Sequence, residues 1–163
     1  MIQIGLVLLF CWLLSLHYVV VSAHTEDVNG RVRWERTEQL QSVVDRLRVG
    51  LAILEPVAVS LVDAHPLVMS VETLGTRSGP FVIRVDQAFV QTLSPEEEEA
   101  ALAHELGHVW IYTHHPYLQT ERLANDIALR VVSRSALEPL YAKVWMRTGI
   151  KGNLAEYIGD SQQ

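Results

Sequence analysis

The stretch that most constrains this chain begins at Ser94. Ser94-Pro95-Glu96-Glu97 places a hydroxyl residue at a helix N-cap, proline at the first helical position and glutamate three places after the cap. The glutamates 96–99 sit where the positive end of a helix dipole favours carboxylates, and this explains the acidic run without a further role. The spacing predicts a helix through His108 to about Tyr112, closed before Pro116, which disfavours helix at His115. A helix fixed this firmly organises whatever precedes and follows it.

Before it, Leu40, Val43, Val44, Leu47, Leu51 and Leu54 recur at helical spacing, so a helix is expected from Trp34 to Leu54, stopped by Pro56. Three β-like runs follow: 57–62, 67–74 and 81–85, with a hairpin turn at 75–80. Residues 86–93 fit one short helix. After Pro116 a helix is expected from Gln119 or Thr120 to about Ser133, and another from Leu137 to Arg147, interrupted by Pro139 and ended by Gly149. Helix, small meander sheet and then several helices make an α+β chain with a small antiparallel sheet packed on the 94–112 helix.

The chain has 163 residues, 49% of them hydrophobic and 20% charged, which suits one folded domain and rules out a disordered one. A net charge of −6 lacks the basic surface that nucleic acid requires, so no nucleic-acid partner is expected. The single cysteine, Cys11, excludes a disulfide framework and a cysteine zinc cage. Cys11 lies in an apolar run from Ile2 to Val21, long enough to cross a bilayer as an N-terminal apolar helix. Residues 1–23 therefore read in two ways. Val21-Ser22-Ala23 offers small residues before a cut after Ala23, as in a secretory signal peptide, although a basic n-region is missing. Alternatively the run is a retained membrane anchor; Arg31, Arg33 and Arg36 follow it, and the positive-inside bias then leaves the domain on the cytoplasmic side. The protein is expected to be membrane-associated through this segment, or secreted or periplasmic after cleavage. Residues 24–163 form the domain, opening on a polar linker over 24–30.

His104-Glu105-Leu106-Gly107-His108 carries the chemistry. Histidines four apart on a helix project from one face, one turn apart, and can share one tetrahedral Zn2+. Glu105 is rotated about 100° from His104, so it flanks the metal and can take a proton from water there. Leu102, Leu106, Val109 and Trp110 face the other way, toward the core. Two residues compete as third ligand. Glu121 opens the next helix, which a turn through His115-Pro116-Tyr117 can fold back; Asn125, four residues on, shares its face and can accept a hydrogen bond from a ligand imidazole. His114 matches the HExxHxxGxxH spacing of metzincins, with Ile111 in place of their turn glycine. Tyr112, His115, Tyr117 and Tyr141 are candidates to stabilise an oxyanion. His17, His24 and His65 have no partner pattern.

These motifs carry a resemblance. His104–His108, then His114-His115-Pro116, then Glu121-Arg122-Leu123-Ala124-Asn125 resemble the ImmA/IrrE-type zinc peptidase domain, in which HELGH is followed by a short loop and a helix beginning E-x-x-A-N. Residues 93–108 are also similar to the HtpX/Ste24-type membrane gluzincins, where the corresponding helix reads E-x-x-A-D; here Asn125 stands at that place. The resemblance covers about a quarter of the chain. It implies a minimal zincin-like fold, His104, His108 and Glu121 as zinc ligands, Glu105 as catalytic base, and a sheet-edge strand beside the cleft, for which residues 81–85 are the candidate. The function so implied is hydrolysis of peptide bonds in a peptide or protein substrate, that of a zinc metalloendopeptidase. The alternatives are a membrane-tethered module that holds metal or peptide without cleaving, and a zinc hydrolase acting on a non-peptide bond.

Overall fold

The computed structural model describes residues 28–76 and 79–159. The expected signal or anchor at 1–23 lies outside them, as do His17 and His24. Among the described residues, no helix is long and apolar enough to cross a membrane. The chain divides into two units, residues 1–36 and 37–163. Of the first, residues 28–36 are helical.

The second unit holds every element discussed below. Helix α1, residues 37–50, buries Leu40, Val44 and Leu47 along one stripe. It stops four residues earlier than the periodicity predicts, because the chain turns after Gly50 and Ala52 takes a φ of 56°. Ile53 then enters the core and Leu54, expected there, is exposed. Strand β1 (Val57–Val62) alternates, with Val57, Val59 and Leu61 buried. Strands β2 (Met69–Thr76) and β3 (Gly79–Asp86) follow.

The sheet differs from the expected antiparallel meander. Its order is β1-β3-β2, with β1 parallel to β3 and β2 antiparallel to it. The sheet is therefore mixed, and residues 81–85 lie in its central strand, not at an edge. Phe81, Val82, Ile83 and Val85 are buried accordingly, as a strand with neighbours on both sides requires. The edge toward the helices is β2. Its pairing follows Met69↔Val85 and Val71↔Ile83, and the Asp86 N–H donates to the Val68 carbonyl at 2.9 Å. In an antiparallel ladder, alternate residues face the partner, so Ser70 and Glu72 pair with β3 while Met69, Val71 and Thr73 turn their main chain to the open edge.

Asp86 caps the short helix α2 (Gln87–Val90), its carboxylate accepting from the Phe89 N–H at 2.8 Å. Helix α3 (Pro95–His114) begins with the expected capping box: Ser94 Oγ accepts from the Glu97 N–H and the Glu97 carboxylate accepts from the Ser94 N–H. The Glu97 carboxylate is also paired with Lys143. Helix α3 packs on β2, β3 and the next two long helices. A 3-10 turn (Pro116–Leu118) leads to α4 (Glu121–Ala128), capped by Thr120 and shorter than expected. Helix α5 (Arg134–Thr148) starts three residues earlier than expected, passes through Pro139 and ends on left-handed Gly149. Helix α6 (Leu154–Ile158) closes the described chain. The core gathers Leu40, Val44, Ile83, Val85, Leu102, Leu106, Ile127 and Leu137.

Candidate metal centre

Gly107 lets α3 and α4 meet backbone to backbone. A Cβ there would stand 2.4 Å from the Ala124 carbonyl oxygen. Gly107 lies between His104 and His108, and Ala124 between Glu121 and Asn125, so this contact sets the depth at which the polar side chains of the two helices meet.

They meet closely. His104 Nε2 and His108 Nε2 are 3.2 Å apart. Glu121 Oε2 lies 3.1 Å from the first and Oε1 3.6 Å from the second. Among the described residues this trio is the group that could hold a metal ion. Bonds of 2.0–2.1 Å at a tetrahedral centre set ligand atoms roughly 3.3–3.4 Å apart, and the three separations straddle that edge.

The far side of each ring is tied down. His104 Nδ1 lies 2.8 Å from Asn125 Oδ1, and His108 Nδ1 lies 3.0 Å from Gln119 Oε1. Gln119 also donates Nε2 to the His108 carbonyl, which turns its oxygen to the ring. Both imidazoles then donate at Nδ1, and their Nε2 lone pairs point at each other and at a carboxylate. Such a set repels itself unless a cation is shared among its members. Burial works most strongly against a charge on His108, but Glu121, Glu105 and Gln119 together outweigh it and hold the imidazole above its ordinary pKa; the two histidines hold the Glu121 carboxyl well below the usual carboxylate range.

Glu105 stands beside the trio and is buried. Burial pushes its carboxyl above the ordinary value, with the Glu121 charge adding to the shift; His104, His108 and the Val71 main-chain N–H act against it. The edge of β2 thus touches this carboxylate directly. A cleft of 560 Å3 opens over these groups, bounded by Leu67, Val68 and β2 as far as Thr73, by α3 and by α5. Leu140, Val144 and Trp145 of α5 and Leu67 and Met69 before and in β2 make one side of it apolar.

The other sequence candidates separate cleanly. His114 does not join the cluster: its ring is stacked on Trp110, with centroids 4.2 Å apart, and its Nδ1 lies 2.9 Å from the Trp110 carbonyl. His115 ends α3 and packs near the same tryptophan. Tyr117 is 91% exposed and does not line the cleft, whereas Tyr112 and Tyr141 do. His65 accepts the Leu67 N–H at Nδ1 and meets Ser70 Oγ at Nε2, away from the trio. Gln119 escaped the sequence reading. Its position two residues before Glu121 was its one signal, and its orientation depends on the path of the 115–120 turn.

No family model matches the sequence, and no curated protein matches it. Among solved structures, the chain is similar to the metallopeptidase zymogen abylysin from Pyrococcus abyssi, at 16% identity over 70% of this chain and 99% of that one, with a TM-score of 0.49.

Proposed function

We propose that this protein is a zinc-dependent peptidase. One observation carries the reading: two imidazole nitrogens and the Glu121 carboxylate converge at tetrahedral-edge distances, with buried Glu105 alongside and the open edge of β2 against it. His104, His108 and Glu121 would hold the ion, and Asn125 would orient His104. Zinc supplies Lewis acidity toward a water molecule and toward the carbonyl to be attacked.

The remaining work falls to the chain. Glu105 accepts the proton of the attacking water and returns it to the leaving amine. A carboxyl raised by burial suits both halves of that task, since it neither holds nor releases the proton too firmly. The edge strand β2, whose main chain at Met69 and Val71 turns away from β3, is where an extended peptide would add, displacing the bonds that the Met69 and Val71 N–H groups make to Leu67 and Glu105. The apolar wall from α5 receives a neutral side chain beside the scissile bond. Residues 1–23 belong to the proposal as signal or anchor, which fractionation of the full-length protein would resolve.

Metal analysis of purified protein tests the ligand set. Wild type is expected to carry one zinc, Glu121→Ala to lose it and His114→Ala to keep it; loss in the histidine variant alone overturns the assignment. A peptide-library assay tests the chemistry. Glu105→Gln should retain zinc while turnover falls by about 10²–10⁴-fold. Undiminished cleavage in that variant removes Glu105 as the base. No chelator-sensitive cleavage by wild type would leave a module that binds metal without hydrolysis.

A further inference from the structure

The amide of Asn125 is fully buried and has three partners. Its Oδ1 faces His104 Nδ1 at 2.8 Å. Its Nδ2 donates to the Tyr141 hydroxyl at 2.7 Å and to the main-chain carbonyl of Tyr157 at 2.9 Å. The Tyr157 carbonyl fixes the sense of all the rest. A main-chain carbonyl accepts and cannot donate, so the amide nitrogen must face it. With the amide turned over, two oxygens would confront each other in a place without water. Oδ1 must therefore face His104, His104 must carry its hydrogen on Nδ1, and its Nε2 lone pair must point into the cleft.

We infer that the segment carrying Tyr157 is a positioning group that sets the tautomer of His104 through Asn125, with the Tyr141 ring packing that segment in place. The hydrogen-bond argument is independent of the peptidase reading; its consequence for zinc affinity rests on that reading.

The segment is built to hold that carbonyl still. The Tyr141 and Tyr157 rings lie 5.1 Å apart and both pack on Trp145, at 5.6 and 5.7 Å, while Tyr141 meets the His104 ring edge-on at 6.1 Å. Gly152 lies flat on Trp145, where a Cβ would stand 2.3 Å from the indole. The Arg134 guanidinium donates to the carbonyls of Ile158 and Gly159, and Arg122 donates to that of Ala155. His108 has no such arrangement, since its partner Gln119 is exposed.

Nitrogen NMR of the full-length, metal-free protein in alkaline buffer reads the tautomer directly, and chelator competition reads zinc affinity. Wild type should show His104 protonated at Nδ1. Tyr141→Phe keeps the ring and leaves the Tyr157 carbonyl facing the amide, so it should keep the wild-type tautomer; Tyr141→Ala, which removes the ring packed against Tyr157, should give a mixture of tautomers at His104, leave His108 unchanged, and weaken zinc about tenfold. Tyr157→Ala should do the same by loosening the segment, and Tyr157→Phe, which keeps the packing ring, should restore wild-type behaviour. A wild-type His104 protonated at Nε2 overturns the inference. So does an unchanged His104 spectrum in both Tyr141→Ala and Tyr157→Ala. If wild type binds no zinc, the peptidase reading fails and the tautomer result still decides this one.

Discussion

Asp86 shows how much one carboxylate can organise beside a cleft. Its side chain is buried, accepts from the Phe89 N–H, accepts from the His65 N–H at 3.0 Å and lies 3.8 Å from the Arg147 guanidinium. Burial alone would raise its pKa, but these donors overcome it and leave the group below the ordinary value. A lowered pKa means that the folded state favours the ionised form. The stabilisation is therefore complete above the unfolded value of about 4 and is lost as pH falls through the lower folded value. Asp86→Ala should cost about 1–3 kcal/mol at neutral pH, from a lost cap and a lost charged acceptor. Urea unfolding at neutral and strongly acidic pH would show the difference shrinking with acidity; an equal penalty at both would assign the stability to packing. At this scale the sequence was informative where spacing alone sets direction. Glu121 and Asn125, four apart on one helix, had to share a face, and the structure brings both to the histidines. Gln119 was illegible because a side chain on a turn has no periodicity to declare its direction. Tyr141 was visible as an aromatic residue, but its place at the Asn125 amide depends on how α5 returns over α4.

Among the elements, the meeting of α3 with α4 is the one most open to test. Replacing a helical glycine by alanine ordinarily stabilises a helix by about 1 kcal/mol. At Gly107 the added methyl would press on the Ala124 main chain, which cannot swing aside. Overpacking of this kind costs about 1–3 kcal/mol, so Gly107→Ala should be net destabilising and should also separate Glu121 from the imidazoles. Thermal melts followed by circular dichroism, together with zinc titration, would check both effects; a more stable variant with unaltered zinc binding would refute the close contact. The starts of α3 and α4 were legible because capping is local chemistry, as the Ser94 and Thr120 caps demonstrate, whereas Ser133 before α5 makes no side-chain cap bond and that start was placed three residues late. Strand order was not. The alternation of Val57, Val59 and Leu61 declares a buried face but not a neighbour, and β1 skips β2 to lie parallel to β3. That skip moved the free edge from residues 81–85 to β2.

For the whole molecule, the proposed ligands come from two helices joined by a short turn, while the groups behind Asn125 come from α5 and the segment before Gly159. Occupying the centre should therefore tighten the folded unit as a whole. At a free zinc concentration 100 times the dissociation constant, the gain is about 2.7 kcal/mol, or roughly 10 °C in Tm for a domain of this size. Calorimetry with and without chelator would measure it, and Glu121→Ala should show no response to either. A wild-type Tm indifferent to chelator would mean that the three side chains take up no metal under those conditions.

The two imidazoles are braced unequally, one by an amide sealed within the protein and the other by an amide in contact with solvent. Water can substitute for Gln119 but has no access to Asn125. On the proposed function, His108 is thus the ring that the solvent-side 115–120 turn alone keeps in place, and His104 the ring held from within the fold.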